Sequence, residues 1–301
     1  MESLDGVGIN EGEVYKRSTL EKVKSELVRS YASNGRYGAD VEIEEVPQPR
    51  NRININIEVD EGNSAKIEKI NIIGNKTFSD QELLDSFELS EGSFFSFLSN
   101  NNQYSREKLV GDIETLESFY RDRGYLKFSI ESSQISLSRD KKSIFITFNV
   151  FEGKKYTIND VDVIGDIPFE EDVYFEIINS LIDKTYSQAT ITSIEEFFTS
   201  VLGNRGYAFA EVSGDPEVDQ DSSNVKLIFP IQPGKKTYTR KILFTGNQVT
   251  QDHVLRREMR QFEGAWSSDD SIEAGKIRLE RLGYFKEVNV ETIPVPGTDD
   301  Q

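Results

Sequence analysis

The side chains best suited to metal or nucleophilic chemistry are nearly absent. The 301 residues contain one histidine and no cysteine, which rules out disulfides and thiolate zinc sites. His253 has no second histidine with which to share a metal and reads as a surface residue. The segment EVDQDSSN (217–224) has the outline of a calcium loop, but it lacks that loop's glycine and closing glutamate and reads as a hairpin turn. Glu170-Glu171-Asp172 and Asp269-Asp270 fall where helices are expected to begin, and there they complement the helix dipole. No phosphate-binding loop or nucleophile elbow occurs. The expectation is a protein that is not an enzyme, with no catalytic residues, no metal and no cofactor. One charged pattern remains. His253, Arg256, Arg260 and Glu263 are spaced to share a stripe of one helix, suited to ionic recognition of another protein. Leu255, Met259 and Phe262 form a second, apolar stripe expected to face a sheet.

Composition narrows the partners. With 53 acidic residues against 35 basic ones, the net charge is −18, which argues against nucleic acid, whose phosphates need compensating cations. No stretch approaches the roughly 18 apolar residues of a membrane helix. The opening MESLDGVGINEGEVYKR lacks the basic start and apolar core of a secretory leader. The chain as given reads as soluble, or as a soluble part of something larger. Absence of cysteine fits a reducing or an oxidising compartment equally.

The elements that would position such a stripe come from an internal repeat. Four phrases end a helical pattern on Gly-Tyr: VRSYASNGRY, IETLESFYRDRGY, TSVLGNRGY and RLERLGY. Their tyrosines, Tyr37, Tyr125, Tyr207 and Tyr284, recur at intervals of 88, 82 and 77 residues. Two further marks keep step: NIIGN, DVIGD and LFTGN, then DEG, FEG and QPG. Each repeat opens with an alternating strand, as in Ile70 and Ile72 or Val161 and Val163. A first helix follows, with Ser79 and Glu82 as a capping box in the second repeat. The second helix carries Leu109, Ile113, Leu116 and Tyr120 at helical spacing. Glycine stops that helix, and the tyrosine is expected to turn inward at the start of a strand. Two strands close the repeat. The last one alternates: Ile53, Ile55, Ile57 and Val59; Ile144, Ile146, Phe148 and Val150; Val225, Leu227, Phe229 and Ile231. Pro230 interrupts the third of these, where it can donate no ladder hydrogen bond, and it is expected to face a gap or a bulge.

The fold class is therefore α+β, a tandem array of β-α-α-β-β units, each a three-stranded mixed sheet with two helices on one face. Four units are expected. Residues 1–62 lack the first strand and most of the first helix, 65–153 and 155–234 are complete, and 236–301 lack the last strand. The incomplete end units should be less stable than the middle two. Exposed sheet edges suit addition of an extended peptide strand, which reads backbone and tolerates many sequences.

This repeat, with PRNR (49–52), INIIGN (70–75), GDIETLESFYRDRGY (111–125), DKKSIFIT (140–147) and VLRREMRQFEGAW (254–266), resembles the POTRA domains of the BamA family of outer-membrane assembly proteins. The resemblance spans nearly the whole chain and aligns the units with the second to fifth POTRA domains of that family. It implies a periplasmic location beneath a barrel domain that this chain lacks, and a role in receiving unfolded outer-membrane proteins. It implies no cofactor and no nucleic acid. It also makes the second strand of each unit the free edge, here Val41–Val46, Leu126–Leu137 and Ala208–Val212. On the same basis Ile135 and Leu137 are expected at an edge that takes the lipoprotein BamB or substrate peptide. Arg256, Arg260, Glu263 and Trp266 are expected to dock the lipoprotein BamD. Two alternatives are a POTRA array of a related secretion or translocation transporter and a free-standing acidic periplasmic chaperone.

Overall fold

The computed structural model describes residues 14–91, 102–219 and 222–298. The chain divides into two compact units, residues 1–121 with 127–153, and residues 122–126 with 154–301.

In the first compact unit, α1 (Arg17–Ser33) precedes an antiparallel hairpin of β1 (Asp40–Gln48) and β2 (Arg52–Asp60). Leu20, Val23 and Val41 are buried, whereas the alternating Ile53, Ile55, Ile57 and Val59 are half-buried, and α1 is the one helix packed on this hairpin among the described residues. A complete repeat follows: β3 (Lys66–Ile73), α2 (Asp80–Leu84), α3 (Arg106–Arg121), β4 (Ser129–Leu137) and β5 (Ser143–Phe151). The last strand in sequence is central, giving the order β3-β5-β4, with β3 parallel and β4 antiparallel to it. Ile144, Ile146, Phe148 and Val150 of β5 are buried against Leu109, Leu116 and Tyr120 of α3, so period two on the strand meets the apolar stripe of the helix. The hydroxyl of Ser79 accepts from the N–H of Glu82, as the capping box requires.

The second compact unit contains the other complete repeat: β6 (Thr157–Gly165), α4 (Asp172–Leu181), α5 (Gln188–Gly203), β7 (Glu211–Val212), β8 (Asp215–Val218) and β9 (Asn224–Gln232). Its central strand β9 lies parallel to β6 and antiparallel to β7 and β8. Tyr186, Ile191, Phe198, Leu202, Val225, Leu227 and Phe229 form the centre of its core. The last repeat has α6 (Asp252–Arg256) and α7 (Asp269–Arg281) but no assigned strand among its described residues. Its buried apolar core is Leu255, Met259 and Leu279.

The second sequence mark has a steric cause. Gly74 (φ 105°) and Gly165 (φ 114°) run against the carbonyls of Val150 and Ile231 on the central strands, where a Cβ would overlap the oxygen. Gly246, the third such glycine, has nothing within 4 Å of its Cβ position.

The third mark supplies a clasp. Glu152 is buried at the end of β5, and its Oε1 accepts from the N–H groups of Lys76 (2.9 Å) and Thr77 (3.0 Å) and from the Tyr120 hydroxyl (2.9 Å). Thr77 Oγ1 donates to its Oε2 at 3.1 Å. Burial pushes this carboxyl up, but the four hydrogen bonds together outweigh burial and hold it below its ordinary value. A depressed carboxyl contributes stability that is present above its unfolded pKa, about 4.3, and is lost as pH falls through the folded value. Glu152→Gln should therefore flatten the loss of stability of the 65–153 repeat between pH 5 and about pH 3, read as the urea midpoint of that repeat across the range. An unchanged acid slope would remove Glu152 from this role.

Candidate protein-binding surfaces

β4 forms one outer edge of its sheet over nine residues, from Ser129 to Leu137. Ile135 lies opposite Ile146 and Leu137 opposite Ile144. Directly paired residues share a face, so both side chains continue the core face past the cover of the helices, where they are 42% and 37% exposed. The other face is mixed: Ser136 lies opposite Phe145, which is exposed, and Asn149 Nδ2 donates to Ser132 Oγ at 2.8 Å. Backbone groups and an apolar shelf thus lie side by side.

The matching edge of the next repeat is not continuous. The expected strand at Ala208–Val212 shrinks to β7, two residues long, and resumes as β8 after Ser213 and Gly214. Pro230 lies opposite this break: β7 pairs with β9 at Ile231, and β8 resumes the pairing at Ile228. A residue without an N–H thus stands where the ladder has no partner. Gly214 is drawn inward instead, its N–H donating to Glu195 Oε1 of α5 at 2.6 Å. A Cβ on it would overlap Ile191. Of the EVDQDSSN turn, Gln220 and Asp221 lie outside the described residues. No group of three or more His, Asp or Glu able to hold a metal occurs among the described residues.

The last repeat departs from the expected helical stripes. Its first helix spans five residues, ending at Arg256, so Arg260 and Glu263 do not extend a stripe of that helix. Leu255 and Met259 are buried as expected, but Phe262 is 65% exposed. Gln261 turns inward in its place, donating to Thr239 Oγ1 (2.9 Å) and the Trp266 carbonyl (2.9 Å) and accepting from Ser268 N–H (3.1 Å). His253 is exposed. Arg260 Nη1 donates to the Met259 carbonyl at 3.0 Å. Arg256 and Glu263 do meet, through the chain's return rather than through helical periodicity, at 2.9 Å. Each also binds the backbone of Ile242: Glu263 Oε1 accepts its N–H at 2.8 Å, and Arg256 Nη2 donates to its carbonyl at 2.7 Å. The Ile242 N–H and then Arg256 hold the Glu263 carboxyl below its ordinary value. Trp266 is 46% exposed and stacks on Tyr238, ring centroids 3.7 Å apart, with Lys236 Nζ 5.6 Å from its ring.

The Gly-Tyr phrase does more than turn a corner. Its tyrosines do not open strands; Tyr37 and Tyr207 lie in turns three or four residues ahead of β1 and β7. In the first compact unit, the Gly35 carbonyl (φ 77°) accepts from Ala65 N–H at 2.8 Å, and Tyr37 lies 6.4 Å from Tyr104. In the second, the Gly206 carbonyl accepts from Thr237 N–H at 2.7 Å, and Asn204 Oδ1 accepts from Asp270 N–H at 2.8 Å and from Ser268 Oγ at 3.2 Å. Within that same unit the Gly124 carbonyl accepts from Tyr156 N–H at 2.8 Å, and Asp122 Oδ1 accepts from Ala189 N–H at 2.8 Å. A glycine carbonyl meets the start of a following strand, and a side chain two residues earlier caps a following helix. The recurrence of serine at 105, 187 and 268, each two residues after the bridging Gln103, Thr185 and Trp266, was the sequence signal for this receiving surface.

These repeats make the chain a tandem array of small α+β modules. The POTRA family, described as surface antigen variable number repeat, matches residues 2–62, 65–153, 156–234 and 237–301, and the chain belongs to it. Two curated relatives share a name. The outer membrane protein assembly factor BamA of Neisseria meningitidis serogroup B is 31% identical over 302 residues, covering 99% of this chain and 38% of the relative. BamA of Buchnera aphidicola is 31% identical over 287 residues, covering 95% and 46%. The chain thus spans less than half the length of these relatives. Among solved structures, Haemophilus influenzae BamA POTRA3-5 matches with a TM-score of 0.71 at 28% identity, covering 78% of this chain and 92% of that one. No helix among the described residues is long and apolar enough to cross a membrane.

Asn204→Ala should cost the 237–298 repeat about 1 kcal/mol, the usual loss of a helix cap. Amide exchange over residues 268–272 should accelerate while β9 keeps its protection. Equal acceleration in β9 would show that the cap serves the preceding repeat as well.

Proposed function

We propose that this chain is part of a periplasmic scaffold of the β-barrel assembly machine. In this reading it receives unfolded outer-membrane proteins by strand addition and docks accessory lipoproteins for their insertion into the outer membrane. The observation that carries it is the β4 edge: a nine-residue strand whose register shifts once, between Ile130 and Ser132, and then runs evenly to Leu137, bordered by Ile135 and Leu137. An incoming strand would pair with backbone along β4 and cover those two side chains with alternate residues of its own. Such pairing accepts many sequences, as a receiver of diverse unfolded barrels must. The names of the relatives support the same assignment.

Docking of BamB is placed on this edge as well, and docking of BamD on the face of the last repeat that holds Arg256, Arg260, Glu263 and Trp266. The net charge of −18 keeps the array soluble and disfavours nucleic acid. No step requires a nucleotide, a metal or catalysis; binding and folding supply the free energy.

Because the chain has no native cysteine, one introduced thiol reports a single position. Ile135→Cys should form disulfides with a cysteine-bearing peptide from an unfolded outer-membrane barrel strand, and Phe209→Cys should do so far less. The pair Ile135→Asp with Leu137→Asp should weaken binding of the same peptide about tenfold, with the urea midpoint of the repeat little changed. Equal trapping at both positions would remove β4 as the preferred edge.

A further inference from the structure

We infer that Glu195 and Pro216 shut the sheet edge formed by β7 and β8 to strand addition, and so direct an incoming strand to β4. This rests on the reading that an open sheet edge takes extended peptide. In an antiparallel pair, alternate residues turn their N–H and carbonyl toward the partner strand, and the residues between turn theirs away from it. The hairpin ends fix the phase. Ser138 N–H donates to the Ser143 carbonyl at 2.9 Å just beyond β4, and Asp219 N–H to the Asn224 carbonyl at 3.3 Å just beyond β8. Counting back from these, Leu137, Ile135 and Ser133 turn their N–H groups to the outside of the first sheet. The outward positions of the second are Val218, Pro216 and Gly214.

The two sets correspond residue by residue. Ile135 and Pro216 lie opposite Ile146 and Leu227, buried residues at the same place in the two central strands. Leu137 and Val218 lie opposite Ile144 and Val225. Val212 opposite Ile231 and Asp215 opposite Ile228 keep a single register across the break, which sets Gly214 beside Phe229 as Ser133 is set beside Phe148. Where β4 carries three successive outward donors, the other edge loses two. Pro216 has no N–H to give. The Gly214 N–H is taken by Glu195 Oε1 at 2.6 Å.

The repeat that holds β4 has no counterpart of this clasp. Counted from the serine that leads each second helix, Ser105 or Ser187, Ile113 stands in α3 where Glu195 stands in α5, and its side chain can accept no hydrogen bond. Gly214 is also held from below. It lies against the fully buried Ile191 and Phe229, where a Cβ would overlap both, so only glycine can approach this closely. The side chains agree with the backbone. β7 and β8 turn Glu211, Asp215 and Glu217 outward, whereas Glu131 is the one charged residue of β4. Charge and proline along an edge both oppose the addition of a strand.

Ser136→Cys and Glu217→Cys each place one thiol at an exposed, corresponding position, opposite Phe145 and Lys226 on the two central strands. Each chain is challenged with a peptide from an unfolded outer-membrane barrel strand that carries an activated disulfide, with a small-molecule disulfide as the reference. Relative to that reference, trapping should be about tenfold faster at position 136 than at position 217. Adding Pro216→Val and Glu195→Ala to the Glu217→Cys chain should raise its trapping about tenfold and speed amide exchange at Gly214. Equal trapping at the two positions before these changes would overturn the inference. So would the absence of a rise after them, with the urea midpoint of the repeat kept. If the doubly changed repeat unfolds, Pro216→Val alone decides, because it returns one outward donor at an edge where a β-branched residue fits: a rise upholds the closure, and no rise refutes it. If Ser136→Cys traps no peptide, the reading of β4 as a receiving edge fails, and the rise or its absence at position 217 decides the closure by itself.

Discussion

A three-stranded sheet has two edges, and each carries backbone donors and acceptors that protein or water must satisfy. In these repeats the strand last in sequence lies in the middle, so the opening strand and the second strand are both edges. The two are treated oppositely. The opening strand is closed by the segment leading into the second helix, as at Ile158, and by carboxylates at Ile70 and Val161. The second strand is left open along β4 and interrupted between β7 and β8. The two complete repeats differ at this edge: β4 runs for nine residues, whereas its counterpart is split into β7 and β8.

The same arrangement explains the uneven cores. A central strand buries one face under both helices and pairs on both sides, so β5 buries Ile144, Ile146, Phe148 and Val150, and β9 buries Val225, Leu227, Phe229 and Ile231. The last repeat, with a buried core of three residues, leans on its neighbour. Asn204 caps its second helix, the Gly206 carbonyl holds its first segment, and Lys236 lies 5.5 Å from the Tyr207 ring and 5.6 Å from that of Trp266. Hydrogen bonds at such a seam matter most where little apolar area is buried. The Gly-Tyr phrase is thus shared property: glycine ends its own helix while its carbonyl and the side chain before it serve the next repeat.

Much of this was legible in the residues. Alternation along Ile144–Val150 and Val225–Ile231, helical spacing at Leu109–Tyr120, the Ser79 cap and the three-mark period are local signals, and side-chain direction follows directly from backbone period. They carried the fold class and the repeat. Pro230 was legible as an interruption, though not as the partner of a gap, because the gap lies in another strand.

What tertiary structure alone decided is where the chain comes back. Helical spacing placed Arg256, Arg260 and Glu263 on one stripe with Phe262 inward. The helix stops after one turn, Gln261 is buried, Phe262 is exposed, and Arg256 reaches Glu263 across a bend. Periodicity describes residues within one element, whereas closure of an edge depends on which distant group arrives beside an unpaired N–H. Glu91 and Glu263 each lie 21 residues beyond the residue whose N–H they accept, Ile70 and Ile242, whereas Asp160 accepts from its own neighbour Val161. The sequence by itself determined that there would be sheets with edges; the folded chain decided which edges are shut.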